Sequence, residues 1–244
     1  MPTPAAISLG SNVGDRRFQL DAAISALAET PGIEVLAVSS FHETAPVGGP
    51  SGQGPFLNAA ATLETSIPPE ALLDRLREVE TTGGRIRDVQ WGARTIDLDL
   101  ILFGSTIRDS PDPILPHPRF ALRRFVLGPL AEVAPDWVDP RTGRTVAYLL
   151  ANLNRCPWVV QFGGIADDEN EMTRSVYDQV RRDRPAGWEV FDRLPVFMEP
   201  TFAVRLDRPT FRPRLPWPLL IPEATDPDGI VKEILATCAA IRGA

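Results

Sequence analysis

Lysine is nearly missing from this chain of 244 residues: Lys232 is the only one, and the rest of the basic charge is arginine. That scarcity removes several mechanisms. A Walker-type phosphate loop needs Gly-Lys-Ser/Thr, and a pyridoxal or Schiff-base enzyme needs a placed lysine. Lys232 sits in the apolar-periodic segment Ile230 to Ile241 and has neither context. Any phosphate chemistry must run on arginine and metal. Cysteine and histidine are as sparse, with Cys156 and Cys238 far apart and His42 and His117 the only histidines, so zinc sites and disulfide frameworks are not expected. An excess of basic charge is also lacking. The net charge of −7 argues against a nucleic-acid partner, which needs a basic field to displace counterions. Long apolar runs are absent too: Pro2 to Gly10 has no basic leader and is too short for a signal peptide or a membrane span. The expectation is a cytoplasmic protein with no membrane partner.

What the chain does have is a pair of carboxylates in an apolar β-type run, Trp91-Gly92-Ala93-Arg94-Thr95-Ile96-Asp97-Leu98-Asp99-Leu100-Ile101-Leu102-Phe103. Side chains alternate faces along a strand, which puts Ile96, Leu98, Leu100 and Leu102 on one side and Asp97 and Asp99 on the other. Residues two apart lie roughly 6.6 to 6.8 Å apart along a strand, close enough for the pair to grip one or two hard cations. Arg94 adds a fixed positive charge beside them. The pattern points to a Mg²⁺-dependent site for a phosphorylated substrate, against the plainer alternative of an amphipathic strand with one solvated face.

The surrounding pattern supplies a scaffold. Ala5 to Leu9 reads as a buried strand ending in the turn Gly10-Ser11-Asn12, and Leu20, Ile24 and Leu27 mark a helix between Asp15 and Thr30 that Pro31-Gly32 stops. Glu34 to Thr44 and Phe56 to Thr65 are strand-like. Ser66 and Pro68-Pro69-Glu70 form a helix-start signature, and Leu72, Leu73, Leu76 and Val79 give that helix a buried stripe up to Gly83-Gly84. The order strand, helix, strand, strand, helix, strand suggests an α+β ferredoxin-like sandwich with a βαββαβ core. Two glycine-rich stretches, Ala45 to Pro55 and Gly83 to Ala93, have the length of lids or binding loops. Residues 1–155 make up this first domain. Residues 156–244 read as a second, smaller α/β unit, with strand-like runs at Trp158 to Phe162, Thr201 to Leu206 and Leu219 to Ile221 and helix-like ones at Glu169 to Arg182 and Asp228 to Ile241.

Five motifs in order carry a resemblance: Ser8-Leu9-Gly10-Ser11-Asn12, Phe56-Leu57-Asn58-Ala59-Ala60, Gly84-Arg85-Ile86-Arg87, the Trp91 to Leu100 core, and Pro116-His117-Pro118-Arg119. Over about residues 4–152 the chain resembles the 6-hydroxymethyl-7,8-dihydropterin pyrophosphokinases of folate biosynthesis. The resemblance implies a ferredoxin-like fold, two Mg²⁺ ions, and transfer of the β,γ-pyrophosphoryl group of ATP to the pterin's hydroxymethyl oxygen, leaving AMP. It implies Asp97 and Asp99 as metal ligands, with Asp97 also the candidate to take the hydroxyl proton and Arg85 and Arg94 beside it on the transferred phosphates. Guanidinium forks suit phosphate oxygens. Arg87 and Trp91 would belong to the loop that closes over ATP, Glu80 would contact the nucleotide region or steady Arg85, and His117, Arg119 and Arg123 would contact ATP. Phe56 and Phe125 would sandwich the pterin, Asn58 would meet its pyrimidine edge, and Thr44, Ala45 and Val47 would line the same pocket.

The chain also departs from that family. The loop from Arg87 to Trp91 is about one residue shorter than in commonly seen members, and Gln90 stands where a basic residue is frequent, which bears on lid closure and ATP affinity. Residues from about 156 are extra. They faintly resemble the C-terminal end of deoxynucleoside-kinase-like proteins but bring no phosphate loop, so a structural or homodimer-forming role is the expectation. The apolar helix face at Ile230, Ile234, Leu235, Cys238 and Ile241 needs a partner surface, within the chain or in another copy. Two other classes share parts of the pattern. An RNA-binding module has the same element order but needs a basic sheet face, and a two-metal nuclease could use Asp97 and Asp99 alone.

Overall fold

The opening apolar segment becomes β1 (Thr3–Ser11), the strand on which the first sheet is built. The computed structural model describes residues 1–47, 50, 52–85, 92–110, 112–155, 158–162, 171–191, 200–204, 218–220, 222 and 224–242. After β1, Asp15 caps α1 (Arg16–Ala28) by accepting a 3.0 Å hydrogen bond from the Phe18 N–H. Gly32, at φ +83°, turns the chain into β2 (Ile33–Val38). A Cβ there would lie 2.8 Å from Ser66 Oγ, so the turn requires glycine on both conformational and steric grounds.

The single strand expected over Glu34 to Thr44 is two. Ser39 breaks it: its N–H still donates to Ala60 O at 2.9 Å, but its side-chain Oγ, in place of a main-chain carbonyl, accepts from the Ala60 N–H at 3.0 Å. The chain resumes as β3 (His42–Thr44), so β2 and β3 follow one another along the same edge of β4 (Phe56–Thr65). Then come α2 (Pro69–Thr82) and β5 (Asp97–Phe103). Proline occupies the first position of α2 and Pro68 its cap position, so Ser66 does not cap it. The strand order is β2-β4-β1-β5, with every neighbouring pair antiparallel.

Helices α1 and α2 cover one face of this sheet through Leu20, Leu27, Leu72 and Leu76, all fully buried against Ile7, Leu9, Leu63, Leu98 and Leu100. Burying such a side chain contributes about 1.5–3 kcal/mol. Leu102 does not join them as strict alternation requires. The β1–β5 register slips between Ala6 and Ile7, pairing Ala6 with Leu102 and Ile7 with Leu100, and the extra residue, Ile101, sends Leu102 to the opposite face.

That opposite face is covered by a 3-10 turn at Phe120–Leu122, by α3 (Arg124–Val133) and, after the small ribbon of β6 (Val138–Asp139) and β7 (Arg144–Thr145), by α4 (Val146–Leu153). The chain continues through β8 (Trp158–Phe162), α5 (Glu171–Asp183), β9 (Trp188–Phe191), β10 (Phe202–Val204), β11 (Leu219–Leu220) and α6 (Pro227–Arg242). These strands form a second, parallel sheet in the order β11-β10-β8-β9; β9 had no sequence signal strong enough to be expected. The apolar residues of α3 and α4 run without a break into Val160, Phe162, Trp188 and Phe202 of this sheet and Ile230, Ile234, Cys238 and Ile241 of α6. The face of α6 that needed a partner surface therefore finds it inside the chain. Arg124 fastens the join: its Nε donates to Ile241 O at 2.8 Å and its Nη2 to Leu153 O at 2.9 Å, carbonyls near the ends of α6 and α4. None of the described helices is long and apolar enough to cross a membrane.

Candidate functional site

Asp97 and Asp99 leave β5 on the sheet face turned away from α1 and α2, and both line a cleft. The space between its walls is about 1070 Å³, open mouth included. Both oxygens of Asp97 are engaged: Oδ1 lies 2.5 Å from Arg85 Nη1, and Oδ2 pairs with Arg94 Nη1. Arg123 Nη1 stands 3.7 Å from Asp99 Oδ2. Burial pulls the Arg123 guanidinium below its ordinary pKa; Asp99 opposes that shift and Arg119 adds to it.

Arg94 owes its position to Asn12, which sequence reading placed in a turn and in the first of the five motifs but gave no role. The Arg94 N–H donates to Asn12 Oδ1 at 2.7 Å and the Asn12 N–H to Arg94 O at 3.0 Å, tying the chain before β5 to the end of β1. Asn12 Nδ2 also donates to Gln53 Oε1 at 3.2 Å, and Arg16 donates to Pro55 O at 2.8 Å. Asn12 and Arg16 thus anchor the glycine-rich stretch that supplies Ala45, Val47 and Gln53 to the cleft. An Asn directly after a strand that ends in Gly-Ser was the available signal, but an asparagine in a turn has many uses.

Phe56, Asn58 and Thr44 come from β4 and β3, which pair His42 with Asn58 and Thr44 with Phe56. Asn58 Nδ2 donates to Thr44 Oγ1 at 2.8 Å. Gly10 on β1 faces this group; a Cβ there would sit 3.0 Å from Asn58 Oδ1, 3.8 Å from Phe56 and 4.0 Å from the Asp97 Cβ. Phe125, at the start of α3, closes the cleft from the other side, with the Arg123 guanidinium 5.7 Å from its ring centre.

The structure does not bring every expected residue to the wall. Arg85 and Glu80 lie behind Asp97 and do not line the cleft. Glu80 is almost fully buried, pairs with Arg85 Nη1 and accepts from the Leu98 N–H at 2.8 Å, so of the two roles expected of it, the geometry is that of steadying the arginine. His117 is likewise off the wall: its N–H donates to Ile101 O at 2.9 Å and its Nδ1 accepts from the Arg119 N–H at 3.2 Å. Arg87 and Trp91 lie outside the described residues. Among the lining residues that sequence reading missed, Glu233, Ala236, Thr237 and Ala240 come from α6.

The donor set fits a hard divalent cation. Among the described residues no group of three or more His, Cys, Asp and Glu side chains could hold a metal, but Mg²⁺ is held through one or two carboxylates together with substrate phosphates. Asp97 and Asp99 supply those two. Arg85 Nε and Thr95 Oγ1 are buried without a hydrogen-bond partner among the described residues.

Comparison with known proteins is consistent with this geometry. The family model for 7,8-dihydro-6-hydroxymethylpterin-pyrophosphokinase matches residues 6–135. A 2-amino-4-hydroxy-6-hydroxymethyldihydropteridine pyrophosphokinase of Synechocystis sp. is 43% identical over 150 residues, covering 62% of this chain and 76% of the relative. The protein of that name from Pseudomonas aeruginosa is 42% identical over 152 residues, 62% of this chain and 91% of its own length. A solved Plasmodium falciparum HPPK-DHPS is similar at a TM-score of 0.48 and 10% identity over 85% of this chain and 56% of that one, too slight a likeness to bear on the site. The family match spans more than half of the 244 residues and includes both aspartates of β5, and on that ground the chain belongs to the 7,8-dihydro-6-hydroxymethylpterin-pyrophosphokinase family.

Proposed function

We propose that the cleft transfers the β,γ-pyrophosphoryl group of ATP to the hydroxymethyl oxygen of 6-hydroxymethyl-7,8-dihydropterin, giving AMP and the pterin diphosphate in folate biosynthesis. The observation that carries this reading is the convergence in one cleft of paired carboxylates, arginines, two aromatic rings and an amide. Phe56 and Phe125 hold the pterin by stacking and Asn58 by hydrogen bonding, which suits a flat heterocycle. Arg94, Arg119 and Arg123 meet the nucleotide, and Arg85 acts from behind Asp97. Arg87, Trp91 and His117 keep their places in the ATP site as part of the same proposal. Thr44, Ala45 and Val47 wall the pterin end.

Asp97 and Asp99 would hold Mg²⁺, two ions in this reading, and the metal would supply charge neutralisation for the transferred phosphates. Asp97 orients the attacking hydroxyl and takes its proton. Correct alignment of hydroxyl and phosphorus is worth on the order of 7–11 kcal/mol of barrier, so the fixed Asn12–Arg94 and Glu80–Arg85 contacts serve the chemistry as positioning devices. The fold reading that goes with it is a ferredoxin-like sandwich over residues 1–155 with an α/β unit over 156–244. No phosphate loop surrounds its lone lysine, Lys232, which argues against kinase chemistry of its own. Its apolar helix face is spent inside the chain, which favours a structural role over a homodimer contact.

Incubating the protein with ATP, Mg²⁺ and the dihydropterin and separating nucleotides tests the reading. AMP formed only with the pterin present is the expected result. ADP, or AMP formed without the pterin, would reject it.

A further inference from the structure

Among the described residues three arginines line the cleft, and each faces an acid: Arg94 faces Asp97, Arg123 faces Asp99, and Arg119 faces Glu233. The first two acids come from β5. The third comes from α6, more than a hundred residues further on. Arg119 Nη2 donates to Glu233 Oε2 at 2.9 Å, and the two side chains are only 17% and 11% exposed. The carboxylate is itself held from behind, because Glu233 Oε1 accepts from the Ala224 N–H at 2.6 Å, in the segment leading to α6. One turn on, Thr237 hydrogen-bonds to the Glu233 carbonyl at 2.9 Å and lines the same cleft.

We infer that Glu233 is a positioning residue for this reaction: the C-terminal unit completes the nucleotide site by fixing the Arg119 guanidinium in the cleft wall. The inference rests on the nucleotide reading of the cleft given above. An arginine side chain has large rotamer freedom, which a ligand must otherwise quench when it binds. A carboxylate already pinned to the backbone removes that freedom beforehand. The P. aeruginosa relative is matched over 91% of its length by 152 residues of this chain, which leaves no room in it for a unit of this size. The device therefore belongs to this chain's own architecture.

The test is kinetic and by direct binding, with the full chain. Glu233→Gln keeps the shape and removes the charge; it should raise KM for ATP and the calorimetric Kd for a non-hydrolysable ATP analogue by roughly tenfold while moving kcat and the pterin KM by less than about twofold. Glu233→Asp, which keeps the charge, should recover part of the loss. The exchange Arg119→Glu with Glu233→Arg rebuilds an ion pair with the cation on the helix; it should restore the thermal midpoint but not ATP affinity. Full recovery of ATP affinity in the exchange, or unchanged affinity in Glu233→Gln, would mean the pair only glues the two units together and would overturn the inference. Should Glu233→Gln fail to fold, Glu233→Asp decides by the same readouts: raised ATP KM and Kd at unchanged kcat supports the inference, and unchanged affinity overturns it. Absence of pterin-dependent AMP from the unmodified protein is a separate failure, that of the functional reading.

Discussion

Arg85 Nη1 lies 2.5 Å from Asp97 Oδ1, and the same nitrogen pairs with Glu80, so one largely buried guanidinium joins the inner face of α2 to the first residue of β5. Glu80 also receives the Leu98 N–H, which clamps the strand on the other side of Asp97. The candidate metal-binding carboxylate is thus set before any ligand arrives, by residues that never reach the cleft wall. Supporting contacts of this kind usually decide whether a site is geometrically competent.

Replacing that carboxylate should separate chemistry from folding. Asp97→Asn is expected to cut turnover by roughly 10²–10⁴-fold, the range for losing a positioned proton acceptor. Asp99→Asn should also lose most of its activity. Circular dichroism should show both variants folded at room temperature; unfolding would make the pair structural.

Glu80→Ala should act on stability first. It leaves the Arg85 cation, only 10% exposed, with a single acidic partner and strips the Leu98 N–H of its acceptor. Breaking a buried pair costs about 3–5 kcal/mol. A drop in the urea midpoint at unchanged slope is the readout, and a variant as stable as the parent would contradict it.

Gly10→Ala probes the pterin end without replacing a candidate ligand group. The added methyl meets Asn58 Oδ1 at 3.0 Å and must push that amide aside. Pterin KM should rise by about tenfold with ATP affinity little changed. Phe125→Ala should raise pterin KM as well, while also loosening Arg123, whose guanidinium rests 5.7 Å from that ring. Equal loss of both ligands in Gly10→Ala would count against the pterin assignment.

Cys238 is buried in α6, and burial pushes its thiol up to about 12. Mass spectrometry after alkylation at pH 8 should find its peptide unlabelled in the native protein and labelled after denaturation. The stability linked to its proton is fully present below the unfolded thiol's pKa of about 8.5 and is lost as pH rises towards the folded value, because only the unfolded state releases that proton readily. Rapid native labelling would show that α6 leaves the core.

Much of the site was legible because its signals are local. Asp97 and Asp99 stand out as charges in an apolar strand, and strand periodicity alone places them on one face. The glycine-rich stretch ahead of Phe56 announces a binding loop by composition. Other features were not legible. The bulge at Ile101 depends on how β1 and β5 register against each other, and nothing in the alternation of β5 marks it. Strand β9 is four residues long and is stabilised by parallel pairing with β8, a contact with no local trace.

The sequence by itself determined which chemistry this chain could run: lacking all but one lysine and all but two histidines, it had to meet phosphate with arginine and acidic residues, whose types and spacing are written along the chain. Only the tertiary structure decided which of those charges meet. Glu233 reads as an ordinary acid on an amphipathic helix until α6 packs onto α3 and carries it to Arg119, because a contact across 114 positions is set by the burial of apolar faces in a shared core, which periodicity can require but cannot address to a particular partner.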